Sequence, residues 1–221
     1  MRGRARSCRS AARLTAGVLA AAALAGGSVA GTASAAVCRG VEFPASVRAA
    51  GTTLALHGLG VRKATFLRIN VYVAALYLSG SGAASGTGTA PGGATLAGGD
   101  ARKIIRAPGP WELVLHFVRG VSAREIRGAF SDAFAEEGNG RVPTALAARV
   151  ATLNRSMQGM RSGEAMTFLR LPGRGVQLDI GGLSRGVIPG EDFAHALLAI
   201  WLGEHPPNPE LKRGLLGGPC G

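Results

Sequence analysis

Acidic residues are scarce in this chain: 13 Asp and Glu stand against 25 Lys and Arg, a formal charge of +12 over 221 residues. Histidine and cysteine are scarcer, at four and three. His57, His116 and His205 show no ligand spacing, so no metal site is expected. There is no phosphate loop, no dinucleotide fingerprint and no catalytic cysteine arrangement, so no cofactor is expected either. The positive charge is not arranged for nucleic acid. No basic helix carries base-reading residues, and no aromatic–glycine ribonucleoprotein signature occurs. Anionic lipids, acidic polymers and small carboxylates remain as partners for a basic surface. No internal repeat is visible, and nothing in the sequence fixes an oligomeric state.

The N-terminus reads as a signal peptide over residues 1–35. Arg2, Arg4, Arg6, Arg9 and Arg13 form a basic region, Leu14 to Val29 an Ala/Leu/Val-rich run, and Ala33-Ser34-Ala35 a small-residue cleavage site. The apolar run is short and interrupted by glycine, which argues against a membrane span. No Arg-Arg pair is present, so Sec-type export to the periplasm or beyond is expected rather than twin-arginine export. Cys38 does not mark a lipoprotein, because Ala35 stands where a large aliphatic residue belongs. The leader carries five Arg and no acid, so its loss takes the charge from +12 to +7 and leaves 186 of the 221 residues. That suits one domain, 36–221. Cys38 and Cys220 then lie near its two ends. In an oxidising envelope they can form a disulfide that staples the termini; the alternative is two free thiols.

Along the domain, Val41 to Phe43 reads as a short edge strand and Thr52 to His57 as a strand. Gly58-Leu59-Gly60 reads as a turn, followed by a long strand to Leu78. That last segment carries Arg62, Arg68, Asn70 and Tyr72 at even positions, hence on one strand face. Residues 79–100 are a Gly/Ser/Ala-rich loop expected to be flexible, followed by a short helix from Ala101 to Arg106. Trp111 to Val118 is a strand. Ser122 with Glu125 forms a capping box for a helix to Glu137, and a second helix is expected from Thr144 to Met160. Three strands follow (Ala165–Leu171, Val176–Ile180 and Leu183–Ile188), then helices at Glu191–Leu202 and from Pro209, with Asn208 as N-cap. The order predicts an α+β fold with a large antiparallel sheet packed by helices.

Two apparent motifs do not hold as chemistry. Gly182-Leu183-Ser184-Arg185-Gly186 matches a nucleophile elbow, but the residues after it read as strand where the elbow requires a helix. Glu191 and His195 are one helical turn apart, but two ligands do not make a metal site, and an exposed helical pair is the expectation. Arg62, Arg68 and Tyr72 are the stronger group. A guanidinium and a phenol together hold a carboxylate or enolate oxygen. On one straight strand Arg62 and Tyr72 would lie about 33 Å apart, so they share a ligand only if the chain bends between them.

Several segments together resemble the bacterial branch of the chalcone isomerase-like family. They are Gly40-Val41-Glu42-Phe43-Pro44, GLGVRK at 58–63, VYVAALYL at 71–78, VLHFVRGVSAREIRGAF at 114–130 and, most specifically, VIPGEDFAHALLAIWLGEHPPNPELKRGLLG at 187–217. The resemblance implies an open-faced β-sandwich with a cleft between sheet and helices. Plant enzymes of this superfamily cyclise a chalcone by intramolecular oxa-Michael addition, and relatives lacking that activity bind fatty acids. The family's arginine falls on Arg62, and a tyrosine of the fatty-acid-binding relatives falls on Tyr72, where the isomerase has a threonine. The isomerase's tyrosine and asparagine at the start of the following helix are missing from Ser122–Arg127, and its later threonine falls near Leu183 or Ser184.

The expectation is therefore an exported, non-catalytic protein with no catalytic residues of its own. Arg62 and Tyr72, with Arg68 in reserve, bind a small amphipathic carboxylate such as a fatty acid. An isomerase acting on a chalcone-like or other enone compound is the alternative. A basic envelope module that meets an anionic membrane surface is the third reading.

Overall fold

The computed structural model describes residues 35–64, 69–80 and 98–221. All but Ala35 of the expected signal peptide, and most of the 79–100 loop, lie outside the described residues. Strands β1 (Ala35–Cys38) and β2 (Val41–Pro44) form a separate antiparallel ribbon. Val41 to Phe43 is thus part of this ribbon and not an edge of the main sheet.

The main sheet has seven antiparallel strands whose spatial order is their chain order. They are β3 (Ser46–Ala49), β4 (Thr52–Ala64), β5 (Ile69–Ser79), β6 (Trp111–Phe117), β7 (Ala165–Leu171), β8 (Gly175–Ile180) and β9 (Leu183–Ile188). Helix α1 (Gly98–Arg106) joins β5 to β6, and α2 (Ala123–Glu137) with α3 (Thr144–Ser156) joins β6 to β7. Helices α4 (Glu191–Leu202) and α5 (Pro209–Leu215) close the chain. The fold is α+β, a seven-strand antiparallel sheet packed by helices, as the order of elements predicts.

The apolar run of β5 is explained by burial on both faces. Val73 through Leu78 are all buried. Ala74, Leu76 and Leu78 enter the helix-side core with Leu115, Phe168, Leu197 and Trp201. Val73, Ala75 and Tyr77 enter a second core with Phe43 and Cys38 of the β1–β2 ribbon. A strand covered on both sides loses its polar alternation. Removing a fully buried ring such as Phe168 or Phe193 would cost about 3–5 kcal/mol through lost transfer energy and the cavity left behind.

Gly58-Leu59-Gly60 is not a turn; it lies inside the 13-residue strand β4. The glycines are there because α5 lies directly on the strand. A Cβ at Gly58 would come 2.3 Å from the Gly214 carbonyl oxygen, and one at Gly60 2.5 Å from that of Leu211. The chain reverses between Ala64 and Ile69 instead. Helix α3 also stops at Ser156, short of Met160, because Met160 exchanges both backbone hydrogen bonds with Val121 at 2.9 Å. The helix before β6 begins at Gly98, three residues ahead of the expected start.

Candidate functional site: a cleft between the sheet and the second helix

The reversal between β4 and β5 settles where the two best sequence candidates stand. Arg62 and Tyr72 are direct cross-strand partners, and Tyr72 is in turn opposite Phe117 of β6. The next pair is Lys63 with Asn70, so Val71 is an extra residue without a partner on β4. Such a bulge re-aims neighbouring side chains, and here both Val71 and Tyr72 line one cleft together with Arg62. Arg68 lies outside the described residues.

The cleft has a volume of about 690 Å³. Its floor is this end of the sheet with Leu115 and Phe117; its sides are α2, through Ile126, Ala129, Phe130 and Ala133, and the end of α4, through Ile200 and Trp201. The Trp201 Nε1–H donates to the Tyr72 hydroxyl oxygen at 2.9 Å. The Tyr72 ring lies 5.6 Å from Phe117, and Trp201 lies 6.1 Å from Phe130 and 5.9 Å from Phe168. Burial pushes the Tyr72 phenol above its ordinary value of 10.0, although the Trp201 hydrogen bond and the Arg62 charge pull the other way. Tyr72 therefore stays a neutral donor at physiological pH, and no acceptor among the described residues takes its own O–H.

Arg62 is anchored at one end of its guanidinium. Nη1 donates to the carbonyls of Lys63 at 2.5 Å and Pro207 at 3.2 Å, and to Asn208 Oδ1 at 3.1 Å. Asn208 was expected to cap α5, but its side chain makes no cap bond. It pairs instead with Lys63: the Lys63 N–H donates to Oδ1 at 2.9 Å, and Nδ2 donates to the Lys63 carbonyl at 3.0 Å.

The rim is mixed in charge. Arg119 and His205 stand on it with Glu125, Asp132 and Glu136 of α2. Glu125 is committed to the capping box, accepting from the Ser122 hydroxyl at 2.7 Å and its N–H at 2.8 Å, and those bonds hold its carboxyl below the usual range. Trp201, Asn208 and His205 were missed as site residues. Trp201 belongs to an apolar helical stripe and Asn208 precedes a helix-starting proline, so each satisfies an ordinary structural pattern.

The remaining candidates lie elsewhere. Leu183 and Ser184 are exposed on β9, outside the cleft, and Ser184 sits in a strand rather than at an elbow. Glu191 and His195 are not an exposed pair. Glu191 accepts from Arg170 Nη2 at 2.5 Å, Arg170 Nε at 3.0 Å and the Gly173 N–H at 2.6 Å. Arg170 is 4% exposed and also donates to the carbonyls of Ala107 and Gly109. Burial draws the Glu191 carboxyl upward, but the bonds from Arg170 and Gly173 outweigh it and hold it low. Cys38 and Cys220 are joined as a disulfide with Cα atoms 6.0 Å apart, an ordinary separation. Arg39 ties the same end down by donating to the Gly221 carbonyl at 2.7 and 3.2 Å.

No curated protein matches the chain. Among 38 matching chains of solved structures is a fatty-acid binding protein of Arabidopsis thaliana, at 18% identity and a TM-score of 0.61, covering 83% of this chain and 96% of that one. This likeness is one of fold. Residues 35–91 and 95–217 match the family model described as chalcone isomerase-like. The match takes in β1 through α5 and every described element that lines the cleft, and the chain belongs to the chalcone isomerase-like family.

Proposed function

We propose that this protein is an exported, non-catalytic binder of a small amphipathic carboxylate such as a fatty acid. The observation that carries the reading is the pairing of Arg62 with Tyr72 in a cleft whose floor and sides are apolar and whose rim is mixed in charge. A guanidinium and a neutral phenol supply charge-assisted and neutral donors to one carboxylate. The aromatic and aliphatic walls suit a hydrocarbon tail, whose burial is favourable by about 0.8 kcal/mol per methylene. The fold is shared with a protein whose name records fatty-acid binding. Export is supported by the basic and apolar leader with its Ala33-Ser34-Ala35 site and by the use of Cys38 and Cys220 as a disulfide.

Native mass spectrometry of protein isolated from its own envelope tests this. The expected result is a bound species of fatty-acid mass that disappears on delipidation. An Arg62→Ala variant that binds laurate as tightly as the unaltered protein would refute the site. The isomerase reading draws on the same neutral phenol beside a cation, which would also stabilise an enolate. Turnover of an enone that is lost in Tyr72→Phe would favour it over simple binding.

A further inference from the structure

We infer that Asn208 is a positioning residue of the ligand site: it orients the Arg62 guanidinium so that one edge is left for a carboxylate. The inference rests on the carboxylate-binding reading above.

The Asn208 amide faces the Lys63 backbone with a donor opposite an acceptor and an acceptor opposite a donor, at 2.9 and 3.0 Å. Turning the amide over would set N–H against N–H and oxygen against oxygen, so its orientation is fixed by Lys63. Oδ1 is thereby held where it also accepts from Arg62 Nη1. The second carbonyl on Nη1 belongs to Pro207, the residue before Asn208, so the same clamp places it as well. Asn208 has an extended backbone, φ −149° and ψ 134°, and runs beside β4 rather than entering the helix. An extended residue can offer a neighbouring strand this amide-like pairing, which also covers the outer edge of β4 beyond the end of β3.

The consequence lies in the donors that remain. A guanidinium has five N–H groups. Nη1 is committed to the Asn208 side and, among the described residues, Nε and Nη2 have no partner. The Nε–Nη2 edge is one of the two that receive a carboxylate with paired parallel bonds. Anchoring the opposite end removes rotational freedom that the side chain would otherwise lose on binding. Asn208 therefore governs recognition of the head group and not of the tail.

The test compares laurate with its methyl ester, which keeps the tail and loses the charge, in Arg62→Ala, Asn208→Ala and Asn208→Asp variants of the disulfide-bonded protein. Asn208→Asp retains the acceptor for Lys63 and Arg62 but adds a carboxylate that competes with the ligand for the guanidinium. Both Asn208 variants are expected to weaken laurate roughly tenfold or more, Asn208→Asp the more strongly, while the ester changes less than about twofold, within the scatter of a neutral substitution. Laurate and ester falling together in both variants would show that Asn208 only holds up the cleft wall. Laurate unchanged in both, with Arg62→Ala impaired, would reject the positioning role alone. Laurate unchanged in Arg62→Ala would reject the binding reading itself.

Discussion

Trp201 and Tyr72 meet oxygen to nitrogen at 2.9 Å, from opposite sides of the core, with Trp201 as the donor. The bond has two separable consequences. Tyr72→Phe removes a donor from the cleft and leaves the N–H of a tryptophan that is 1% exposed without its acceptor. The expected stability loss is about 1–3 kcal/mol, the penalty for an unmet buried donor. Laurate affinity is expected to fall roughly tenfold in titration calorimetry, since the bond lost is to a charged acceptor. A lower melting temperature with unchanged laurate affinity would assign Tyr72 to packing alone. Because burial raises the phenol, its donor role should persist up to pH 10.0, its ordinary value.

Arg170 and Glu191 tie three pieces of the chain together: the 107–109 connection, the turn at Gly173 and the start of α4. Glu191→Gln leaves the guanidinium of Arg170 without its counter-charge. The expected loss is about 2–3 kcal/mol, less than for a fully buried pair because the Glu191 side chain is 38% exposed. The carboxyl is held below its unfolded value of 4.5. Its contribution is therefore present above pH 4.5 and lost as pH falls through the lower folded value. Urea unfolding across that range should show a shallower acid decline in Glu191→Gln than in the unaltered protein, and parallel declines would count against the pairing.

Gly58 and Gly214 are where α5 meets β4. A Cβ at Gly214 would stand 2.2 Å from the Leu59 carbonyl oxygen. Gly58→Ala or Gly214→Ala should cost about 1–3 kcal/mol, as overpacking does, because the clash is with backbone. The strain falls on the helix that Asn208 precedes, so laurate affinity should drop along with the melting temperature. A Gly128→Ala control meets open space inside helix α2 and should raise stability by about 0.4–1 kcal/mol instead of lowering it.

The Cys38–Cys220 bond closes a sequence separation of 182 residues. Chain entropy puts its stabilisation at about 5 kcal/mol as an upper figure. Exported protein denatured without reductant should show no reactive thiol, and reduction should lower its unfolding midpoint. Two titratable thiols would overturn the assignment.

Much of the fold is legible before any coordinates. Ser122 and Glu125 announce α2, and Gly138 ends it, because capping and periodicity are local. The β4–β5 hairpin is misread because the sequence between the paired residues Ala64 and Ile69, Thr-Phe-Leu-Arg, has no glycine, proline or asparagine to mark a reversal. The nearby Gly58 and Gly60 carry the local signal of a turn, but they serve a helix that arrives from residues 209–215. The same limit applies to the site. Arg62 and Tyr72 were visible as residue types, but a distance estimate along one strand set them far apart, and only the reversal makes them partners. Trp201 and Asn208 join them from 129 and 146 residues away, a relation no local pattern encodes.

Joining Cys38 to Cys220 also turns the body of the protein into a covalent ring. A single peptide cut anywhere between those cysteines, including within 81–97, leaves one connected molecule. Its two pieces remain bonded through Cys38 and Cys220, just beyond the last helix, α5. Proteolysis there would convert this chain into a two-segment protein rather than release a fragment, until the bond is reduced.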